Sequence, residues 1–169
     1  AVFLVTTPEG HILIDGALPE GAPLIVDSMK KLGFRIEDVE VLLTTQAHFD
    51  HVGSLAELEK RSGGKVMAMA GDAELIEGGG KGDYLFGDKA QFPPAPVSRV
   101  LKDGDTVTLG GITLKAPHSP GHTKGSTTWT TTIDDGGRTL SVVFPASTSV
   151  NPGTMLPSMP SYPAVGADY

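Results

Sequence analysis

Strand-like and helix-like segments alternate along the first half of this chain, and that alternation limits its fold more than any other feature. Val2–Thr6 and Ile12–Asp15 read as strands around the turn Thr7-Pro8-Glu9-Gly10. Ala22–Leu32 reads as a helix, with Pro23 in its first turn, Ile25, Met29 and Leu32 on one face, and Gly33 as a stop. Val39–Leu43 is an unbroken apolar strand of the kind that lies inside a sheet. A polar loop, Thr44–Gly53, comes next. It leads to a helix over Ser54–Arg61 closed by Gly63-Gly64, a strand over Lys65–Ala70 and a short helix over Asp72–Glu77. That order predicts an α/β layer. The long Gly- and Pro-rich connection Gly78–Pro96 marks a change of character. Beyond it only strands are predicted: Val97–Leu101, Thr106–Leu109, Ile112–Ala116, Ser126–Ile133 and Arg138–Phe144, with glycine turns between them. From Pro145 the chain reads as loop. A length of 169 residues suits one domain and not two independent cores.

Composition removes several classes of function. Net charge is -7, and the thirteen basic residues stand singly apart from the pairs Lys30-Lys31 and Lys60-Arg61. A nucleic-acid face needs clustered cations to displace counterions, so no nucleic-acid partner is expected. No apolar run approaches the roughly 20 residues of a membrane span, and Ala1 is followed at once by strand-like residues, without the basic segment and apolar core of a signal peptide. The absence of cysteine excludes disulfides, thiol catalysis and thiolate zinc sites within these residues.

The chemistry gathers in two loops. Gln46-Ala47-His48-Phe49-Asp50-His51 packs two imidazoles, a carboxylate and an amide between a buried strand and a helix. Strand-to-helix loops open at the end of a sheet where α/β proteins place their sites. Neutral imidazole and carboxylate are also the donors zinc takes when thiolates are missing. Alone, this loop reads equally well as two solvated histidines beside a helix-capping Asp50. The second loop, His118-Ser119-Pro120-Gly121-His122-Thr123-Lys124-Gly125-Ser126, shifts the balance, because two such loops on one chain are hard to explain as capping.

The segment with Gln46, His48, Asp50 and His51, followed by Gly121-His122-Thr123-Lys124-Gly125, resembles the metallo-β-lactamase superfamily, whose usual first motif is His-x-His-x-Asp-His. Gly10-His11-Ile12-Leu13-Ile14-Asp15-Gly16, Leu101-Lys102-Asp103-Gly104-Asp105 and Gly125-Ser126-Thr127-Thr128-Trp129 extend the match. Together they resemble the third, cysteine-free subclass of class B β-lactamases, in a variant with Gln46 in place of the first histidine ligand. The resemblance implies an αββα sandwich, of which residues 1–169 would be the N-terminal and central portion of a single incomplete domain. It implies one or two zinc ions: one held by Gln46, His48 and His122, the other by Asp50, His51 and a last histidine. No histidine follows His122 here, and further strands, a helix and that last ligand would lie outside this sequence. The implied activity is hydrolysis of the β-lactam amide by a metal-bound hydroxide, with Asp50 in the catalytic machinery. A small-molecule β-lactam substrate, antibiotic resistance and a periplasmic or secreted location go with it.

The same fold hosts glyoxalase II-type thioesterases, lactonases and nucleases, so fold alone does not decide. Those relatives usually carry a metal-bridging Asp after the strand ending near Phe144, where this chain has Pro145-Ala146-Ser147. An inactive fragment, self-associating through surface left uncovered, is the non-enzymatic alternative. Ser147 and Ser149 lie where the subclass places hydroxyls that bind the substrate carboxylate, or they are ordinary loop hydroxyls. Lys124 could draw the same carboxylate. Asp15 either orients a ligand histidine or merely ends a strand. His11 and His118 are read as structural or solvated, and Trp129 as core. Tyr84, Phe86 and Phe92 are candidates for a wall of the substrate groove.

Overall fold

In a computed structural model describing residues 1–169, the alternating first half builds a five-stranded sheet. β1 (Phe3–Thr7) and β2 (Gly10–Ile14) form an antiparallel hairpin; β3 (Val39–Leu43), β4 (Lys65–Met69) and β5 (Arg99–Leu101) follow in parallel, in the spatial order β1-β2-β3-β4-β5. Successive side chains on a strand point to opposite faces, and β2 and β3 use both. Leu13 and Leu42 join one buried cluster with Ala22 and Met29 of α1 (Ala22–Lys31), Leu55 and Leu58 of α3 (Leu55–Ser62) and Ile76 of α4 (Ala70–Glu77). Ile12, Ile14, Val41 and Leu43 turn the other way and meet Val107, Leu114, Ala116 and Trp129.

Those partners belong to a second, antiparallel sheet: β6 (Asp105–Leu109), β7 (Ile112–Ala116), β8 (Trp129–Asp135) and β9 (Arg138–Phe144). Helices, sheet and sheet thus stack as three layers of the expected sandwich. No helix is long and apolar enough to cross a membrane.

Several strand ends shift by one to three residues from the sequence reading, and four larger differences have a local reason. The polar loop holds a turn of helix, α2 (Phe49–Val52), because Val52 is fully buried under the sheet. α4 starts at Ala70 directly after β4. Ser126–Thr128 are not strand, since their amides bond to loops: Thr127 N–H donates to the Thr45 carbonyl (2.8 Å) and Thr128 N–H to Pro117 (3.1 Å). The tail, read as loop, carries α5 (Val165–Asp168), which buries Val165 against Tyr84, Met159 and Tyr162.

Trp129 joins the second sheet to the first loop. It is fully buried, and its indole N–H donates to the Thr44 carbonyl at 3.0 Å, just past the end of β3. Trp129→Phe keeps an aromatic filler but leaves that buried carbonyl without its donor, a loss of roughly 1–3 kcal/mol before any cavity is counted. Urea unfolding should show a lower midpoint. An unchanged midpoint would mean the indole N–H does not matter.

Candidate metal centre

Each sheet contributes one loop: the first leaves β3, the second runs into β8. Asp15, at the end of β2, takes a left-handed backbone (φ 67°) that Asp tolerates better than most residues. This turns its buried carboxylate under the first loop. Oδ1 accepts the Thr45 N–H (2.7 Å); Oδ2 accepts the Thr45 hydroxyl (2.6 Å) and faces His51 Nδ1 at 2.9 Å. Of the two readings of Asp15, this geometry favours the orienting one. A carboxylate on Nδ1 holds the proton there and leaves His51 Nε2 as a lone-pair donor.

The other two imidazoles are held by the same logic. His48 Nε2 lies 3.4 Å from Asp83 Oδ2, a long contact between two side chains each 4% exposed, which leaves Nδ1 for a ligand. His122 Nδ1 donates to the Ser149 carbonyl at 2.8 Å, leaving Nε2, which accepts from the Asn151 amide at 3.3 Å. The His48 and His122 rings sit 4.9 Å apart. Burial pushes the His122 pKa down against the opposing Ser149 carbonyl, which favours the neutral donor ring. At Asp83, burial raises the pKa, but the His48 contact and the N–H groups of Phe86 and Leu85 outweigh it and hold the carboxyl below its ordinary value.

Gln46, His48, Asp50, His51 and His122 line one open cleft of about 650 Å³ together with Ser147, Ser149 and Asn151. The Ser147 and Ser149 hydroxyls are 2.9 Å apart. Phe86 forms an apolar wall, its ring 5.1 Å from that of His48. Tyr84 and Phe92 do not reach the cleft: Tyr84 packs against Tyr162, and Phe92 belongs to the helix-side core. Lys124 is absent as well, its ammonium lying 5.5 Å from the Tyr162 ring centre. His118 bonds the Lys124 carbonyl, and His11 stacks edge-on against Phe34. Asp83 and Asn151 escaped the sequence reading, since neither belongs to a histidine loop.

The donors fit a metal ion at one position better than at two. Gln46 Oε1 is buried without a hydrogen-bond partner, a costly state for a polar atom and one that an ion between Gln46, His48 and His122 would relieve. No three His, Asp or Glu side chains lie close enough to hold an ion by themselves, so that position needs the amide oxygen. At the second position, Asp50 is half exposed and its Oδ2 stands 3.7 Å from His51 Nε2. The same His51 nitrogen is taken by Gln46 Nε2 at 3.0 Å. Imidazole is the stronger zinc donor. Gln46→His should therefore raise the zinc bound per chain in equilibrium dialysis. Unchanged stoichiometry would show that position 46 does not limit occupancy.

A helix-faced parallel sheet packed on an antiparallel one, with two histidine loops meeting at one end, defines the class of metal-dependent hydrolase folds. The Metallo-beta-lactamase superfamily model matches residues 1–136, and the chain belongs to that superfamily. It is similar to the native FEZ-1 metallo-β-lactamase from Legionella gormanii, with a TM-score of 0.97 and 40% identity, covering 100% of this chain and 65% of that one. A subclass B3 metallo-β-lactamase of Bradyrhizobium japonicum matches with a TM-score of 0.91 and 38% identity over 99% of this chain and 63% of its own. A hydroxyacylglutathione hydrolase of Rhodopseudomonas palustris is 29% identical over 121 residues, 72% of this chain and 39% of that protein. The chain thus spans about two thirds or less of the relatives it matches.

Proposed function

We propose that these residues form the metal-binding part of a β-lactam hydrolase. The observation that carries this reading is the cleft wall facing the histidines. It is made of Pro145, Ala146, Ser147 and Ser149, with paired hydroxyls and no carboxylate. The similarity to solved β-lactamases at about 40% identity supports it. Gln46, His48 and His122 would hold a zinc ion. Asp50 and His51 would contribute two donors to a second. When bound, zinc supplies Lewis acidity and lowers the pKa of water towards about 7.

The chain's own residues do the rest. Asp15 and the Ser149 carbonyl keep His51 and His122 in their donor tautomers, and the Asp83 carboxylate lies 3.4 Å from His48 Nε2, on the side away from its free Nδ1. Phe86 and Leu18 keep water off one side of the cleft. Ser147 and Ser149 offer hydroxyl donors to a substrate carboxylate. Asp50, half exposed in the cleft mouth, can take up a proton released during attack and return it to a leaving nitrogen.

The similarity to hydroxyacylglutathione hydrolases favours a second reading, thioester hydrolysis by the same donors. The zinc-loaded protein given nitrocefin and a hydroxyacylglutathione side by side separates the two. Zinc-dependent turnover of nitrocefin with little thioester cleavage is the expected result. The reverse preference would overturn the β-lactam reading, and turnover of neither would overturn both.

A further inference from the structure

Asp72 takes no part in the cleft, yet it is 1% exposed at the start of α4 and has no cationic partner. A buried carboxylate is expensive unless its oxygens are fully engaged. Here they are. Oδ2 accepts the Thr123 hydroxyl at 2.7 Å and Oδ1 accepts the Gly125 N–H at 2.8 Å. These partners are not scattered: Thr123 follows His122 on the second loop and Gly125 closes the same turn, while Asp72 belongs to the helix that leaves β4 of the first sheet.

The surroundings fit a joint made for close approach. A Cβ on Gly71 would come within 2.7 Å of Gly125 N, and one on Gly125 within 2.7 Å of the Asp72 side chain. Ser126 Oγ accepts the Thr123 N–H at 2.9 Å and lies 2.8 Å from the Thr123 hydroxyl. The threonine is thereby left one direction in which to donate.

We infer that Asp72 is a positioning residue. Its carboxylate ties Thr123 and Gly125 to the start of α4 and so fixes the loop that presents His122 to the cleft. This rests on reading the cleft as a metal site, and nothing in it requires Asp72 to touch the ion. Burial pushes the Asp72 pKa up to about 6, opposed by Thr123 and Gly125, so the carboxylate is ionised at neutral pH and accepts from both donors.

The test uses Asp72→Asn, Thr123→Val and Thr123→Ser, with Met29→Ala in the helix-side core as a control that lowers stability without touching either loop. Asn offers one acceptor oxygen where two donors converge, and Val removes the hydroxyl. Outer-shell partners of metal ligands are worth roughly 10–100-fold in affinity. Chelator competition should show that loss for Asp72→Asn and Thr123→Val, while Thr123→Ser and Met29→Ala stay near the parent. Amide exchange in the metal-free protein is the second readout: Gly125 should exchange faster in Asp72→Asn than in Met29→Ala. Affinities for Asp72→Asn and Thr123→Val that match the control would overturn the inference. If the parent itself binds no zinc, the metal reading of the cleft falls and exchange alone decides. Faster exchange at Gly125 then supports the clamp, and a rate like that of the control overturns it.

Discussion

His122→Ala is expected to lower zinc affinity by at least about a hundredfold and to abolish most nitrocefin hydrolysis with it. A structural zinc site is worth roughly 10–16 kcal/mol, spread over about four donors, so one imidazole carries ~3 kcal/mol, a little over two orders of magnitude. His122 would be the second loop's single donor, since His118 is turned to the Lys124 carbonyl. The substitution also leaves the Ser149 carbonyl and the Asn151 amide without the ring they hold, so a neighbouring group has no ready route to replace it. Competition against a chromophoric chelator gives the affinity, with nitrocefin turnover measured on the same preparations. Near-parental zinc affinity would remove His122 from the donor set and the proposed function with it.

Gly71→Ala should destabilise the protein by about 2–3 kcal/mol, against the expectation from helix propensity. Gly71 lies in α4, where alanine is worth up to about 1 kcal/mol more than glycine in a helix interior. Space decides otherwise. A Cβ there would fall 2.4 Å from the Lys124 carbonyl carbon and 2.7 Å from Gly125 N, both backbone atoms with no rotamer to yield. Overpacking of this sort typically costs about 1–3 kcal/mol, and relieving it pulls Gly125 and Thr123 away from Asp72. For a chain of this size, each kcal/mol moves the melting temperature by roughly 2–4 °C, so a fall of several degrees is expected by calorimetry. A melting temperature equal to or above the parent's would show that the loop moves aside freely.

Much of this was legible in the sequence because the signals were local. Val39–Leu43, Ile112–Ala116 and Arg138–Phe144 are strands with the bounds that their apolar runs and glycine turns predict. The two histidine loops announce themselves through residue types that few other jobs explain, and the resemblance followed from them. What stayed hidden depends on partners far along the chain. Asp72 reads as a helix-start acid and becomes a clamp only through Thr123 and Gly125, some fifty residues on. Asp83 reads as loop polarity until His48 lies over it. The turn of helix at Phe49–Val52 is too short to show a period. Lys124 stands two residues from His122, but the chain turns between Thr123 and Ser126, and the Lys124 ammonium ends 5.5 Å from the Tyr162 ring centre. Among three aromatics in one glycine-rich connection, nothing local marks Phe86 as the one that reaches the cleft.

Because each sheet supplies one histidine loop, the centre has a place in the order of folding. The β1–β2 hairpin and the units around β3 and β4 close short stretches of chain and can form early. His48 and His122 meet only after about seventy residues have been looped out and the two sheets have docked, the kind of distant contact that comes slowly and late. An ion requiring donors from both loops finds nothing to hold until then. It would act as a bolt on a closed joint, slowing the parting of the sheets and leaving the speed of their meeting nearly unchanged.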